Sequence, residues 1–68
     1  MNQFPSLRLL HALLRRGAPV YATKDGIRFR IATVRALGAS CRHQVRGMLF
    51  VRRLDDQRWV EPDNIELP

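Results

Sequence analysis

The sequence predicts a mainly β fold with one N-terminal α-helix. Apolar side chains recur with a helical period near the N-terminus and alternate with polar ones from about residue 20 onward. Gly17 and Pro19 stand where the period changes. Because 68 residues support one hydrophobic core, we expect a single domain over 1–68, with the helix at about 6–16 and the β-structure at about 18–67.

The predicted helix is amphipathic and has recognisable ends. Ser6 is placed to cap the N-terminus, and leucines spaced three and four residues apart form one apolar stripe. Arg15 and Arg16 fall in the last turn, where basic side chains interact favourably with the helix dipole. Gly17 and Pro19 then end the helix.

Asp25 and Gly26 predict a two-residue hairpin between two alternating segments. Both central residues of a type I′ turn need positive φ, which this pair tolerates well. The resulting register directs one set of side chains to the core: Ile27, Phe29 and Ile31. It directs another set to the outer face: Tyr21, Arg28 and Arg30.

The alternation changes parity between Ala32 and Val34, which predicts a bulge or bend in a long strand. A helix over 32–40 is the alternative interpretation. The remainder of the chain predicts four further features: a strand within 45–54, a turn at 55–56, a short return strand at 58–60, and a single helical turn at 62–64 before a last strand.

A helix followed by about five short strands, one of them bent, resembles the Src-homology-three-like and Tudor-like small barrels. The resemblance covers 18–67 through the segments "APVYA", "GIRFRIATV", "GMLFVRRLDDQRWV" and "EPDNIEL". It implies a five-stranded antiparallel barrel used as a binding module for RNA, DNA or protein. Pro62 and Asn64 match the "P-x-N-Y" motif of Src-homology-three domains, but Ile65 replaces the tyrosine, so the resemblance does not imply a groove for proline-rich peptides.

The charge is unevenly distributed along the chain. Residues 1–54 hold eleven basic side chains and one acid, a net charge of +10, whereas residues 55–68 hold one base and five acids, a net charge of −4. Eleven of the twelve basic residues are arginine, which suits bidentate contacts to phosphate or carboxylate. The positive charge of residues 1–54 therefore favours an anionic partner. The acidic residues in 55–68 either weaken this positive field or stay away from a bound polyanion.

The sequence gives no sign of export or membrane insertion. It contains one cysteine and opens without a basic and apolar leader. The longest apolar runs are about four residues, far below the ~20 that a membrane span needs. We expect a cytoplasmic protein without membrane contact.

Metal-binding and nucleophilic chemistry lack the residues that they require. Cys41 and His43 adjoin, but only His11 remains as a third ligand of these types, and a zinc site needs four. No residue is identifiable that would orient His43 as a base for Cys41. We expect no metal, no cofactor, no catalytic residues and no enzymatic activity. Asp55 and Asp56 fit a turn better than a paired-carboxylate site.

The basic outer face is the strongest functional signal. Phosphate binding needs charges spaced along a backbone and an aromatic side chain that can stack on a base. The candidate nucleic-acid-binding residues that meet this description are Arg15, Arg16, Tyr21, Arg28, Arg30 and Arg35. A merely solvated strand face is the competing interpretation. Trp59 is expected in the core or at its rim, an expectation that would invert if it proved exposed beside arginines.

Two classes of function fit this surface. In the first, a non-enzymatic module grips the backbone of RNA or DNA with its arginines. In the second, the protein is an adaptor or inhibitor that docks on an acidic surface of a larger protein, since open strand edges and a leucine-rich helix offer further contacts. Such edges also permit pairing with a second copy, so a homodimer is compatible with the sequence.

Overall fold

The described part of the chain, residues 3–36, 44–45 and 49–68 of the computed structural model, contains one helix and seven strands. In chain order they are β1 (Gln3–Phe4), α1 (Leu7–Arg15), β2 (Tyr21–Lys24), β3 (Ile27–Ala36), β4 (Gln44–Val45), β5 (Leu49–Arg53), β6 (Trp59–Val60) and β7 (Asn64–Glu66). Cys41 and His43 lie outside the described residues, so the expectations about them stay predictions.

Five of the strands form one antiparallel sheet in the order β6-β5-β3-β2-β7. The predicted mainly β fold with five antiparallel strands and one helix is therefore confirmed. Among the described residues the hydrogen-bonded order ends at β6 and at β7, so the sheet is not closed into a barrel. These edge strands are two and three residues long, and each offers few backbone groups for closure. β1 and β4 form a separate pair that the sequence did not predict.

Helix α1 has the ends that its sequence predicts. The Ser6 hydroxyl accepts a hydrogen bond from the Leu9 N–H at 3.2 Å, which satisfies one of the unpaired donors of the first turn. At the other end, Gly17 adopts φ +77° and donates its N–H to the Leu14 carbonyl at 3.0 Å. Among the described residues, no helix has the length and apolar character that crossing a bilayer requires.

The core lies between α1 and the inner face of the sheet. Its buried side chains come from β1, α1, β2, β3, β5 and the connection before β2: Phe4, Leu10, Leu13, Val20, Ala22, Phe29, Ile31, Val34, Leu49 and Val51. The prediction that Ile27 points into this core is wrong, because that side chain is 57% exposed. Ile27 has the inward parity, but it is the first residue after the tight turn, where the hairpin extends beyond the packed core.

Strand β3 contains the predicted bulge. Its first half pairs with β2 in the predicted register, with Tyr21 opposite Arg30. Its second half pairs with β5, and the register shifts between Ile31 and Thr33. The shift lets both halves direct apolar residues inward although their parities differ. The alternative of a helix is excluded as far as Ala36, where β3 ends.

The C-terminal segment differs from the sequence prediction in one respect. The expected helical turn at 62–64 is wrong, since Asp63 forms a bend and Asn64 already begins β7. The Asp63 N–H donates to the Thr23 carbonyl at 2.8 Å, and Asn64 is the register partner of Thr23. Pairing with β2 thus continues directly from the bend, which leaves no residues for a helical turn.

Candidate nucleic-acid interface

The outer face of the sheet carries a row of neighbouring side chains next to the bulge. Thr33 of β3, Arg52 of β5 and Trp59 of β6 are successive cross-strand partners. Arg35 follows Thr33 by two residues and so lies on the same face. We call these four residues the tryptophan patch.

Trp59 lies on the outside of the sheet and not in the core. Its β6 neighbour Val60 is the register partner of the fully buried Val51, so the alternation along β6 turns Val60 inward and Trp59 outward. The indole is 40% exposed, and the guanidinium carbon of Arg35 lies 4.7 Å from its centroid. An exposed tryptophan beside an arginine overturns the expectation of a core or rim anchor and makes Trp59 a candidate site residue.

Arg52 is held in place by groups that leave its charge uncompensated. Its Nε donates to the backbone carbonyl of Gln57 at 3.3 Å, and its Nη2 donates to the Gln57 side-chain oxygen at 2.9 Å. Gln57 adopts φ +61° in the connection between β5 and β6. Both acceptors are neutral, and they use two of the five N–H groups of the guanidinium, so the described residues leave three N–H groups for an anionic ligand.

Two shallow depressions meet at the bulge. The first has a volume of about 330 Å³ and is lined by Ala32, Thr33, Arg52, Leu54 and Gln57. The second, of about 320 Å³, is lined by His11, Leu14, Arg15, Ala32 and Thr33. The bulge residues Ala32 and Thr33 border both, so Arg15 and Arg52 line adjoining depressions.

Three residues at the other end of the sheet, Tyr21, Arg28 and Glu66, form what we call the tyrosine patch. The guanidinium carbon of Arg28 lies 3.8 Å from the Tyr21 ring centroid. Its Nε donates to Glu66 Oε2 at 3.0 Å, so the charge of Arg28 is already paired with a carboxylate. Glu66 therefore places part of the acidic C-terminal segment against this end of the basic sheet.

The other predicted site residues lie nearer the bulge. Arg30 donates from Nη2 to the Gly17 carbonyl at 3.4 Å, which connects β3 to the end of α1. Arg16 is exposed at the helix C-cap, and among the described residues no contact joins its side chain to the others. Within the described residues, the arginines without a carboxylate at ion-pair distance are Arg8, Arg15, Arg16, Arg30, Arg35 and Arg52.

The sequence did not single out Arg52 or Trp59 as site residues. A usable signal was present in the parity of Trp59 and Val60: if the valine faces the core, the tryptophan must face solvent. The partner of Arg35 was not recoverable in this way, because the contact needs the β3–β5 and β5–β6 registers together.

The acidic turn between β5 and β6 is confirmed, and its carboxylates are engaged with arginine. Arg53 donates to Asp55 from Nη2 at 2.8 Å, and its guanidinium carbon lies 4.6 Å from the ring centroid of Phe29. The hydrogen bond from Arg53 lowers the pKa of Asp55 from an ordinary 3.8 to about 2. In the part of the chain that the structure describes, no three His, Cys, Asp or Glu side chains gather as a metal site would require.

Comparison with known proteins identifies no relative of this chain. No family model, curated protein or solved structure matches it. What the protein does is therefore inferred from its own residues and their geometry.

Proposed function

We propose that the protein is a non-enzymatic module that binds the backbone of nucleic acid through arginines on the outer face of its sheet and at the end of helix α1. One observation supports this most strongly: arginines without a carboxylate partner among the described residues gather around the bulge of β3. They are Arg15, Arg30, Arg35 and Arg52. Strand β3 contributes two of them, and the helix end and β5 contribute one each.

Phosphate is the ligand that this arrangement suits best. A guanidinium offers planar pairs of N–H donors that match two phosphate oxygens, and Arg52 keeps three donors unused by the described residues. Successive phosphates require successive cations, and the bulge separates Arg30 from Arg35 along one strand. Arg28 is not included in the proposed contact surface, because Glu66 already neutralises it.

We also propose that the sheet belongs to the Src-homology-three-like class. Support comes from the strand order, in which the last strand returns to pair with β2. Further support comes from β3, which bends at its register shift and pairs with different strands in its two halves. Arg30, Arg35 and Arg52 lie on the outer face of this sheet, and Arg15 lies at the end of α1 and lines a depression with the bulge residues.

A second candidate is docking on an acidic surface of another protein. The observation that favours it is Leu54, which is 52% exposed and lines the same depression as Arg52. A protein partner could bury this leucine while pairing carboxylates with the arginines. A complex that survives nuclease treatment, in the absence of any nucleic-acid binding, would favour this candidate over the first.

Fluorescence polarisation tests the first proposal directly. Labelled single-stranded RNA, single-stranded DNA and duplex DNA would be titrated with the full chain at about 50 and 200 mM salt. Four neutralised phosphates predict a slope of log affinity against log salt of roughly −2.8 on single strands and −3.6 on duplex, so single-strand affinity should fall roughly 50-fold between the two conditions.

The matched variants are Arg35→Ala combined with Arg52→Ala, and Arg28→Ala alone. We expect the double variant to lose most binding and the single variant to retain it. Absence of binding at about 50 mM salt, or affinity that barely changes with salt, would contradict the proposal.

A further inference from the structure

We propose that the nucleic acid is single-stranded and that one unpaired base stacks on Trp59. This inference rests on the proposed function and adds to it the class of nucleic acid and the residue that selects it. It starts from the position of the indole, which is 40% exposed on the outer face of an edge strand, among arginines.

An exposed indole in this position can bind a nucleic-acid base by stacking on the flat face of that base. In a duplex, each base is already stacked above and below by its neighbours, so its faces are not offered to a protein side chain. An unpaired base has a free face, and stacking on an aromatic side chain stabilises it whatever its identity. The exposed indole therefore favours single strands and predicts little preference for sequence.

The position of Arg35 shows that the indole ring accepts a planar group stacked on its face. Its guanidinium is held over the indole at 4.7 Å, and no described carboxylate pairs with it. A guanidinium over an indole is only weakly stabilised at exposed sites, so a stacked base can replace it. Displaced from the ring, Arg35 stays on the same strand face and can pair with a phosphate.

Arg52 supplies the phosphate contact next to the base. It is the direct cross-strand partner of Trp59, and such partners have Cβ atoms about 5 Å apart. A base on the indole and its own phosphate at the guanidinium are thus compatible with a single nucleotide. The two hydrogen bonds to Gln57 hold the guanidinium in this position before the ligand arrives.

The tyrosine patch provides an internal contrast. Tyr21 is also covered by an arginine, with the Arg28 guanidinium carbon 3.8 Å from the ring centroid. There, however, Glu66 holds the guanidinium over the ring by a hydrogen bond of 3.0 Å and would repel a phosphate that approached. Of these two arginine–aromatic stacks, the one at Trp59 is therefore the one where a nucleotide can bind.

Tryptophan fluorescence can test the stacking at this one residue, because Trp59 is the sole tryptophan of the chain. The full chain would be titrated with oligo-dT, with oligo-U of the same length, with a blunt duplex and with inorganic polyphosphate. We expect strong quenching by both single strands and little by the duplex. Polyphosphate should compete for the arginines without quenching, because it has no base. The ratio of the dT and U affinities then shows whether DNA or RNA is preferred.

Three variants complete the test. Trp59→Leu should bind oligo-dT about 5- to 150-fold more weakly, the range expected from the loss of one stacked base, while its affinity for polyphosphate stays unchanged. Trp59→Phe, which keeps an aromatic face, should recover most of the affinity. Tyr21→Leu should bind like the unmodified protein.

The outcomes separate this inference from the proposed function. Duplex and single strands bound equally tightly, or Trp59→Leu binding oligo-dT with unchanged affinity, would overturn the stacking while salt-dependent backbone binding survived. No binding of any nucleic acid would overturn both. Circular dichroism of each variant confirms that the sheet is retained, and the unchanged affinity of Trp59→Leu for polyphosphate reports a correctly folded arginine surface.

Discussion

Arg28 and Arg35 are the same residue type on the same face of one strand, yet their surroundings give them different roles. Each stacks on an aromatic ring, but among the described residues only Arg28 has a carboxylate partner, Glu66. We therefore expect Arg35→Ala to weaken oligonucleotide binding roughly tenfold and Arg28→Ala to change it by about twofold or less. Polarisation titrations of the two variants side by side check this. Equal losses, or a larger loss at Arg28, would place the binding surface at the tyrosine patch.

Asp55 gives the fold a pH dependence with a definite direction. The hydrogen bond from Arg53 lowers its pKa to about 2 from an ordinary 3.8. A carboxyl whose pKa is depressed in the folded state contributes stability above its unfolded pKa and loses that contribution as the pH falls through the folded pKa. We expect the free energy of unfolding to decline as the pH drops from about 4 to about 2.

Denaturant titrations of Asp55→Asn check this assignment. The variant should be less stable than the unmodified protein at pH 7, and the difference should shrink toward pH 2, because there Asp55 is becoming protonated in the folded protein. A difference that stays constant over this range would show that Asp55 is not the group responsible.

At the scale of elements, the hairpin between β2 and β3 depends on two residues in the left-handed region. Asp25 has φ +52° and Gly26 has φ +80°. A Cβ added to Gly26 would meet no atom within 4 Å, so substitution tests the backbone conformation alone. We expect Gly26→Ala to lower the free energy of unfolding by about 1 kcal/mol, and Gly26→Asn to lower it by less, since asparagine tolerates positive φ. Equal losses in urea titrations would contradict this explanation.

The elements that the sequence predicted well are those whose signals are local. Ser6 and Gly17 delimit the helix, and Asp25 and Gly26 fix the hairpin register. The change of parity after Ile31 predicts the bulge. The error at Ile27 has a tertiary cause, because parity gives the side of the sheet but not where the core ends. The error at 62–64 arose because the pairing of β7 with β2 joins distant segments and so overrides the local turn signal.

The candidate site was only half accessible from the sequence for the same reason. Arg28 and Arg35 could be assigned to the outer face from alternation alone. That Glu66 neutralises Arg28 depends on residues 38 positions apart in the chain. That Trp59 lies under Arg35 depends on two further strand registers. Alternation predicted on which face of the sheet each arginine lies. The three-dimensional structure was needed to show which arginine forms an ion pair with a carboxylate.

At the scale of the whole molecule, the acidic C-terminal segment limits the basic surface. Glu66 and Asp63 lie against Arg28 and Lys24, with closest ion-pair distances of 3.0 and 3.9 Å. Among the described residues of the sheet, the positive charge that remains without a carboxylate partner therefore lies toward the bulge. The proposed function places nucleic-acid binding on that side of the molecule, although the basic residues are spread along the sequence.

Glu66→Gln should enlarge that binding side. The substitution frees Arg28 for a phosphate, so we expect affinity for single strands to rise a few-fold and the salt slope to steepen by roughly 0.7, the value of one additional contact. The free energy of unfolding should fall only slightly, because both side chains of the ion pair are exposed to solvent. Polarisation at several salt concentrations measures both quantities. Unchanged affinity and slope would mean that bound nucleic acid does not pass near the tyrosine patch.

An NMR titration can show whether nucleic acid binds at the arginines around the bulge. Amide and arginine Nε–H resonances of the ¹⁵N-labelled chain would be followed as a single-stranded oligonucleotide is added. We expect the largest changes at Thr33, Arg35, Arg52 and Trp59, with Arg28 little affected. Changes confined to the tyrosine patch or to the edge strand β7, or no change at all at low salt, would contradict this expectation.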